Sequence, residues 1–176
     1  MRSIEPIAKL DLAFSLFCLQ HKFSYPLSRV SRAISHTGDG HLYVLFGLAA
    51  SGFGGDKGQL FLLVGLTAFA IELPIYWAVK NLFKRRRPHD CSELVTSFIT
   101  PSDRYSLPSG HTAAAFLMAT LVSHWYSDLT MFAFTWASLI ASARILLGVH
   151  FLTDVILGAA LGIGCAKLAM ALTGGI

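Results

Sequence analysis

Apolar residues along this chain come in long blocks, separated by short polar or glycine-rich breaks. Residues 60–82 form one such block, long enough to cross a bilayer core as a helix. Residues 129–147 and 151–172 form two more, and 112–125 and 42–53 are shorter apolar segments. The pattern predicts an all-α fold, a polytopic transmembrane bundle of about six helices. Four or five spans are expected, with a sixth near the N-terminus. Residues 1–40 are expected to form short or interfacial helices, and 41–176 the transmembrane bundle proper, within a single domain overall.

The breaks refine this picture. Residues 10–19 are apolar but short, and Asp11 interrupts them. Within 26–35, Leu27, Val30 and Ile34 share one helical face while Arg29 and Arg32 lie elsewhere, as in an interfacial amphipathic helix. Gly38-Asp39-Gly40 then breaks the chain. Glu72 and Pro74 are unusual inside a span, and Glu72 is expected to hydrogen-bond a neighbouring helix. Gly158, Ala159, Ala160, Gly162 and Gly164 predict close helix packing in the last span. Residues 83–107 are the one extended polar loop. Alternation of spans puts that loop and the Leu147–His150 turn on one membrane side, with the Trp125–Asp128 turn opposite. Lys80, Arg87, His111, Arg144 and His150, far apart in sequence, should therefore gather at one face.

Composition strengthens the membrane reading. Of 176 residues, 54% are hydrophobic and only 14% charged, against about 25% charged in soluble domains. The net charge of +4 is concentrated in Lys84-Arg85-Arg86-Arg87. Such a run reads as a membrane-flank anchor, with Arg87 set apart by the chemistry below. The other basic residues form no stripe, which argues against nucleic acid as a partner. Three cysteines form no disulfide framework or metal pattern. Early charges such as Arg2, Lys9 and Asp11 argue against a removable signal peptide.

The gathered residues suit phosphoryl transfer. Lys80, Arg87 and Arg144 offer fixed positive charge for the equatorial oxygens of a transferring phosphoryl group. Pro108-Ser109-Gly110-His111 precedes a helix, with Ser109 as expected N-cap and Gly110 allowing close backbone approach to an anion. His150 and Asp154 are spaced i, i+4. A carboxylate on one ring nitrogen fixes the tautomer and frees the other nitrogen to attack. His111 is then placed as general acid for the leaving oxygen and activator of water. If the cations stabilise the charge, neither metal nor cofactor is required.

Taken together, Lys80-x6-Arg87-Pro88, Pro108-Ser109-Gly110-His111 and Arg144-x5-His150-x3-Asp154 resemble the three motifs of the type 2 phosphatidic acid phosphatase superfamily. The resemblance covers about 42–172. It implies a six-helix membrane bundle that hydrolyses lipid phosphates without metal. His150 would be the nucleophile, Asp154 its orienter and His111 the general acid, with Lys80, Arg87, Ser109, Gly110 and Arg144 as phosphate cradle. Where the family usually carries Ser before the third-motif Arg, this chain has Ala143, with Ser142 one place early. The implied partners are the bilayer and a membrane lipid phosphate: phosphatidylglycerol phosphate, phosphatidate, undecaprenyl pyrophosphate or a lipid A phosphate. The implied location is a bacterial inner membrane with the site facing the periplasm or outside. A lipid phosphotransferase, a vanadate-dependent haloperoxidase and a non-catalytic lipid-binding or transport bundle are the competing readings. A metal site from His89, Asp90, His111 and His150 is a further one.

Overall fold

The computed structural model describes residues 5–20 and 24–174. Arg2 lies outside them. Among the described residues the fold is all-α, with eight helices. These are α1 (Glu5–Leu19), α2 (Ser24–His36), α3 (His41–Phe53), α4 (Gly55–Phe83), the four-residue α5 (Pro88–Cys91), α6 (Gly110–Trp125), α7 (Thr130–Leu146) and α8 (Leu152–Thr173). A 3₁₀ turn, Ser127–Leu129, links α6 to α7.

Three stretches are long and apolar enough to cross a membrane: Gly55–Cys91, Ser127–Leu146 and Leu152–Thr173. Fewer qualify by length than the four or five spans expected. The difference lies in α3 and α6, at 13 and 16 residues. Helix α6 is the centre of the bundle, packed against α4, α7 and α8. Its Leu117 and Leu121 are fully buried, so most of it meets protein instead of lipid. The outward faces carry Phe17, Phe53, Trp77 and Met131, all largely exposed. In water such exposure would be a liability; against acyl chains it is the expected surface.

Small residues bring α6 and α8 together. A Cβ on Gly162 would lie 2.1 Å from the Ala113 carbonyl oxygen, and one on Gly158 would lie 2.6 Å from that of Ser109. Only glycine permits this approach. It places the start of α6 against the first turns of α8, and the Ser109 amide donates to the Asp154 carbonyl at 3.0 Å. The core these two helices share with α4 holds Phe61, Val64, Leu117, Leu121 and Ala166.

The N-terminal helices clasp this bundle. Helix α1 forms without a break at Asp11, whose side chain is buried at 3% exposure. Helix α2 buries a polar face, Ser28, Ser31 and Ser35, against α7. Leu27 and Val30 point outward, consistent with an apolar face toward lipid.

Candidate active site

The ends of α4, α6, α7 and α8 converge on one side of the bundle, as span alternation requires. Arg87, Gly110, His111, Arg144 and His150 line a single cavity of about 680 Å³. Away from these polar groups the cavity is walled by apolar residues of α3 and α4, including Val44, Leu48, Leu62, Leu66 and Phe69.

Lys80 and Arg87 are buried at 5% and 2% exposure. Both turn toward Asp103, an unforeseen member of the loop before α6. Lys80 Nζ donates to Asp103 Oδ2 at 2.7 Å and Arg87 Nη2 to Oδ1 at 2.6 Å. The Tyr76 hydroxyl donates to Oδ2 at 2.8 Å. Arg87 also donates through Nη1 to the Val149 carbonyl at 2.6 Å, which locks it to the turn before His150. Burial alone would raise the Asp103 pKa. The hydrogen bonds from Lys80 and Tyr76 and the nearby charges of Lys80 and Arg87 outweigh it and hold the carboxyl at about 2. One acidic residue in a polar loop gives no sequence signal that it faces motif cations.

Ser109 sits at the N-cap position of α6 but does not cap it through its side chain. Its hydroxyl pairs with that of Thr112 at 2.9 Å, and both residues are fully buried. The expected serine cap is therefore absent, and the first-turn amides of α6 keep their anion-binding capacity. Gly110 faces Tyr76; a Cβ there would lie 3.0 Å from the ring. His111 Nε2 pairs with Asp39 Oδ1 at 2.7 Å, and Asp39 Oδ2 meets His36 Nδ1 at 2.5 Å. The Gly38-Asp39-Gly40 break thus supplies a partner to the α6 histidine. Although burial pushes the Asp39 carboxyl up, its two histidine partners bring it below the usual carboxylate value.

Arg144 is buried and donates through Nη1 to Ser35 of α2 at 2.6 Å. Its Nε has no hydrogen-bond partner among the described residues. Ala143 is buried, whereas the Ser142 hydroxyl turns back to the Ser138 carbonyl at 2.8 Å on the exposed face. No serine hydroxyl stands beside Arg144 from that position.

His150 is 2% exposed. Its Nδ1 lies 3.8 Å from Asp154 Oδ2, an ion-pair distance beyond hydrogen-bond reach. Among the described residues Nδ1 has no hydrogen-bond partner. Burial pushes the imidazole down to about 4; Arg144 and Arg87 press the same way, and the Asp154 carboxylate opposes them. At neutral pH the ring is uncharged, the form with a free nitrogen lone pair. Asp154 is fully buried, accepting the Phe151 amide on Oδ2 at 2.8 Å and Arg85 Nη1 on Oδ1 at 2.6 Å. Arg85, read from sequence as a flank anchor with its neighbours, is instead turned inward, while Lys84 and Arg86 remain exposed.

Two further expectations change. Glu72 is 2% exposed and lines the apolar part of the cavity. Among the described residues it makes no hydrogen bond to a neighbouring helix; its neighbours in the cavity wall are the apolar Phe69 and Leu73. His89 and Asp90 pair with each other at 3.5 Å, and His89 borders a separate hollow with Arg32. Among the described residues no group of three His, Cys, Asp or Glu side chains is placed to hold a metal ion.

The family model of the PAP2 superfamily matches residues 56–175. The crystal structure of LpxE from Aquifex aeolicus superposes with a TM-score of 0.79 at 27% identity, covering 92% of this chain and 95% of that one. The first transmembrane PAP2 type phosphatidylglycerolphosphate phosphatase from Bacillus subtilis superposes with a TM-score of 0.77. At 23% identity, over 99% of this chain and 90% of that one, the second match is a likeness of fold.

Proposed function

The chain belongs to the PAP2 superfamily, and from that premise we propose that it hydrolyses a phosphate ester or pyrophosphate of a membrane lipid through a phosphohistidine at His150. The observation that carries this reading is the cavity itself. Its polar end holds two histidines and arginine side chains, and its apolar remainder runs along α3 and α4. At about 680 Å³ it falls within the usual range of ligand sites, roughly 300–1,000 Å³. A lipid phosphate has this same division, an anionic head and an apolar tail.

The chemistry follows from the side chains. The phosphoryl oxygens replace the Asp103 carboxylate on Lys80 and Arg87, and meet Arg144 and the uncapped amides of α6. His150 Nε2 attacks phosphorus as the bond to the leaving oxygen breaks, and His111 gives that oxygen a proton. The attacking ring becomes cationic, and Asp154 stabilises it; closing the 3.8 Å separation to a hydrogen bond accompanies the step. His111, now a base, takes a proton from water as the water oxygen attacks phosphorus. The P–N bond breaks, phosphate leaves and His150 is restored. The three cations stabilise the charge, so the reaction proceeds without a metal. The site faces the periplasm or outside of a bacterial inner membrane.

The test is phosphate release by purified protein in detergent with EDTA, on phosphatidylglycerol phosphate, phosphatidate, undecaprenyl pyrophosphate and a lipid A phosphate. Release that survives EDTA and vanishes in His150→Ala is expected. Activity that EDTA abolishes would reject the metal-free chemistry. Release only when an alcohol acceptor is added would favour the phosphotransferase.

A further inference from the structure

Behind the nucleophile lies a second charged cluster that borders none of the cavity. Arg85 donates through Nη1 to Asp154 Oδ1 and to Thr153 Oγ1, each at 2.6 Å, and through Nη2 to Asp11 Oδ2 at 2.6 Å. Asp11 also accepts the Thr153 amide at 3.2 Å and the Thr153 hydroxyl. The guanidinium carbon sits 4.3 Å from the centre of the Phe151 ring. Asp11 and Asp154 are 3% and 0% exposed. A buried carboxylate without a partner is costly. Here one cation serves two carboxylates, so the trio keeps one net negative charge, with Asp154 the member nearest His150.

We propose that Asp11 and Arg85 are positioning residues for the nucleophile. Arg85 engages Oδ1 of Asp154, so Oδ2 is the oxygen presented to His150. Asp11 offsets the arginine, so that Asp154 retains the charge an imidazolium or phosphohistidine needs. Helix α1, outside the residues matched to the family, is on this account part of the working enzyme. The inference rests on the reading of His150 as nucleophile.

The charges give it a sign. His150 is faced by Arg87 from the segment after α4, Arg144 from α7 and Asp154 from α8, with Lys80 and His111 also at this end of the bundle. Attack requires the neutral ring, so the acid limb of kcat/KM follows His150. Arg85→Gln removes a positive charge behind Asp154, favours the imidazolium, and moves that limb to higher pH by about one unit. Asp11→Asn removes a negative charge and moves it to lower pH. In both variants kcat falls by about tenfold or more while KM changes little, because neither residue touches substrate. Arg85→Lys keeps the charge and returns the limb to its wild-type position, though with one donor it recovers only part of kcat.

The experiment is the pH profile of phosphate release by these purified variants, with His150→Ala as control and thermal unfolding to verify the fold. If Arg85→Gln does not fold, because Asp11 and Asp154 then face each other unneutralised, the double variant with Asp11→Asn replaces it. Its limb should lie near wild type, between the two single shifts. Opposite shifts support the inference. Folded single variants, Asp11→Asn included, with reduced kcat and an unmoved limb would show a structural brace only and overturn it. An active His150→Ala would instead overturn the reading of the nucleophile beneath it.

Discussion

Asp103 shows how much one side chain alters the site. It holds Lys80 and Arg87 in place through two ion pairs. Its carboxyl is held at about 2, below the usual value near 3.9. A depressed pKa adds stability above the unfolded value, lost as pH falls through the folded one. Asp103→Asn should therefore unfold at lower temperature than wild type above about pH 4, with the gap closing toward pH 2. Thermal scans across that window measure it. The same variant should bind inorganic phosphate more tightly, because a competing anion is gone. Glu72 makes a different prediction. It lies two i+4 steps before Lys80 on α4, about 12 Å deeper. Glu72→Leu should lower kcat/KM for lipids with an ester or amide linkage at that depth more than for a polyprenyl pyrophosphate. Equal losses on both would assign Glu72 a packing role. The motif residues were legible because their spacing and chemistry were unusual in apolar surroundings. Asp103 was not, since nothing local distinguishes it from Asp90 in the same loop.

Among elements, the pairing of α6 with α8 sets the geometry. Gly162→Leu would drive a side chain into the Ala113 carbonyl, 2.1 Å from where its Cβ must sit. A loss of about 1–3 kcal/mol in stability is expected, read as a lower unfolding temperature. Activity should fall too, because separating the helices breaks the Ser109–Asp154 backbone contact. Small residues in the last span announced close packing, but not which helix receives it. The roles of α1 and α2 were hidden for a related reason. Asp11 meets Arg85 74 positions away, and Ser35 meets Arg144 109 positions away. Pairings so remote leave no periodic trace. The serine face of α2 likewise contradicts the rule that buried faces are apolar.

For the whole molecule, counting spans was enough to bring five residues from four segments to one end, since each crossing reverses direction. The three-dimensional cavity was not predictable from that count, because it depends on how far α3 and α4 stand from α6. Orientation in the membrane has a direct test. Cys91 is exposed on the face that carries the site, while Cys165 is buried and Cys18 partly so. A membrane-impermeant maleimide should label Cys91 in intact spheroplasts if that face is outward, and Cys91→Ser should remove the label. Labelling only after lysis would place the site in the cytoplasm.

The carboxylate lodged on Lys80 and Arg87 has a meaning for life among lipids. A bilayer surrounds the protein with phosphodiester headgroups, each bearing a single negative charge on its phosphate. Such a group arriving at the cations merely exchanges one monoanion for another already tethered there, and gains little. A terminal phosphomonoester carries about −1.5 to −2 at neutral pH and outbids it. On the proposed reading, Asp103 would therefore set a threshold of charge, one that a lipid ending in a free phosphate crosses more readily than an ordinary phosphodiester.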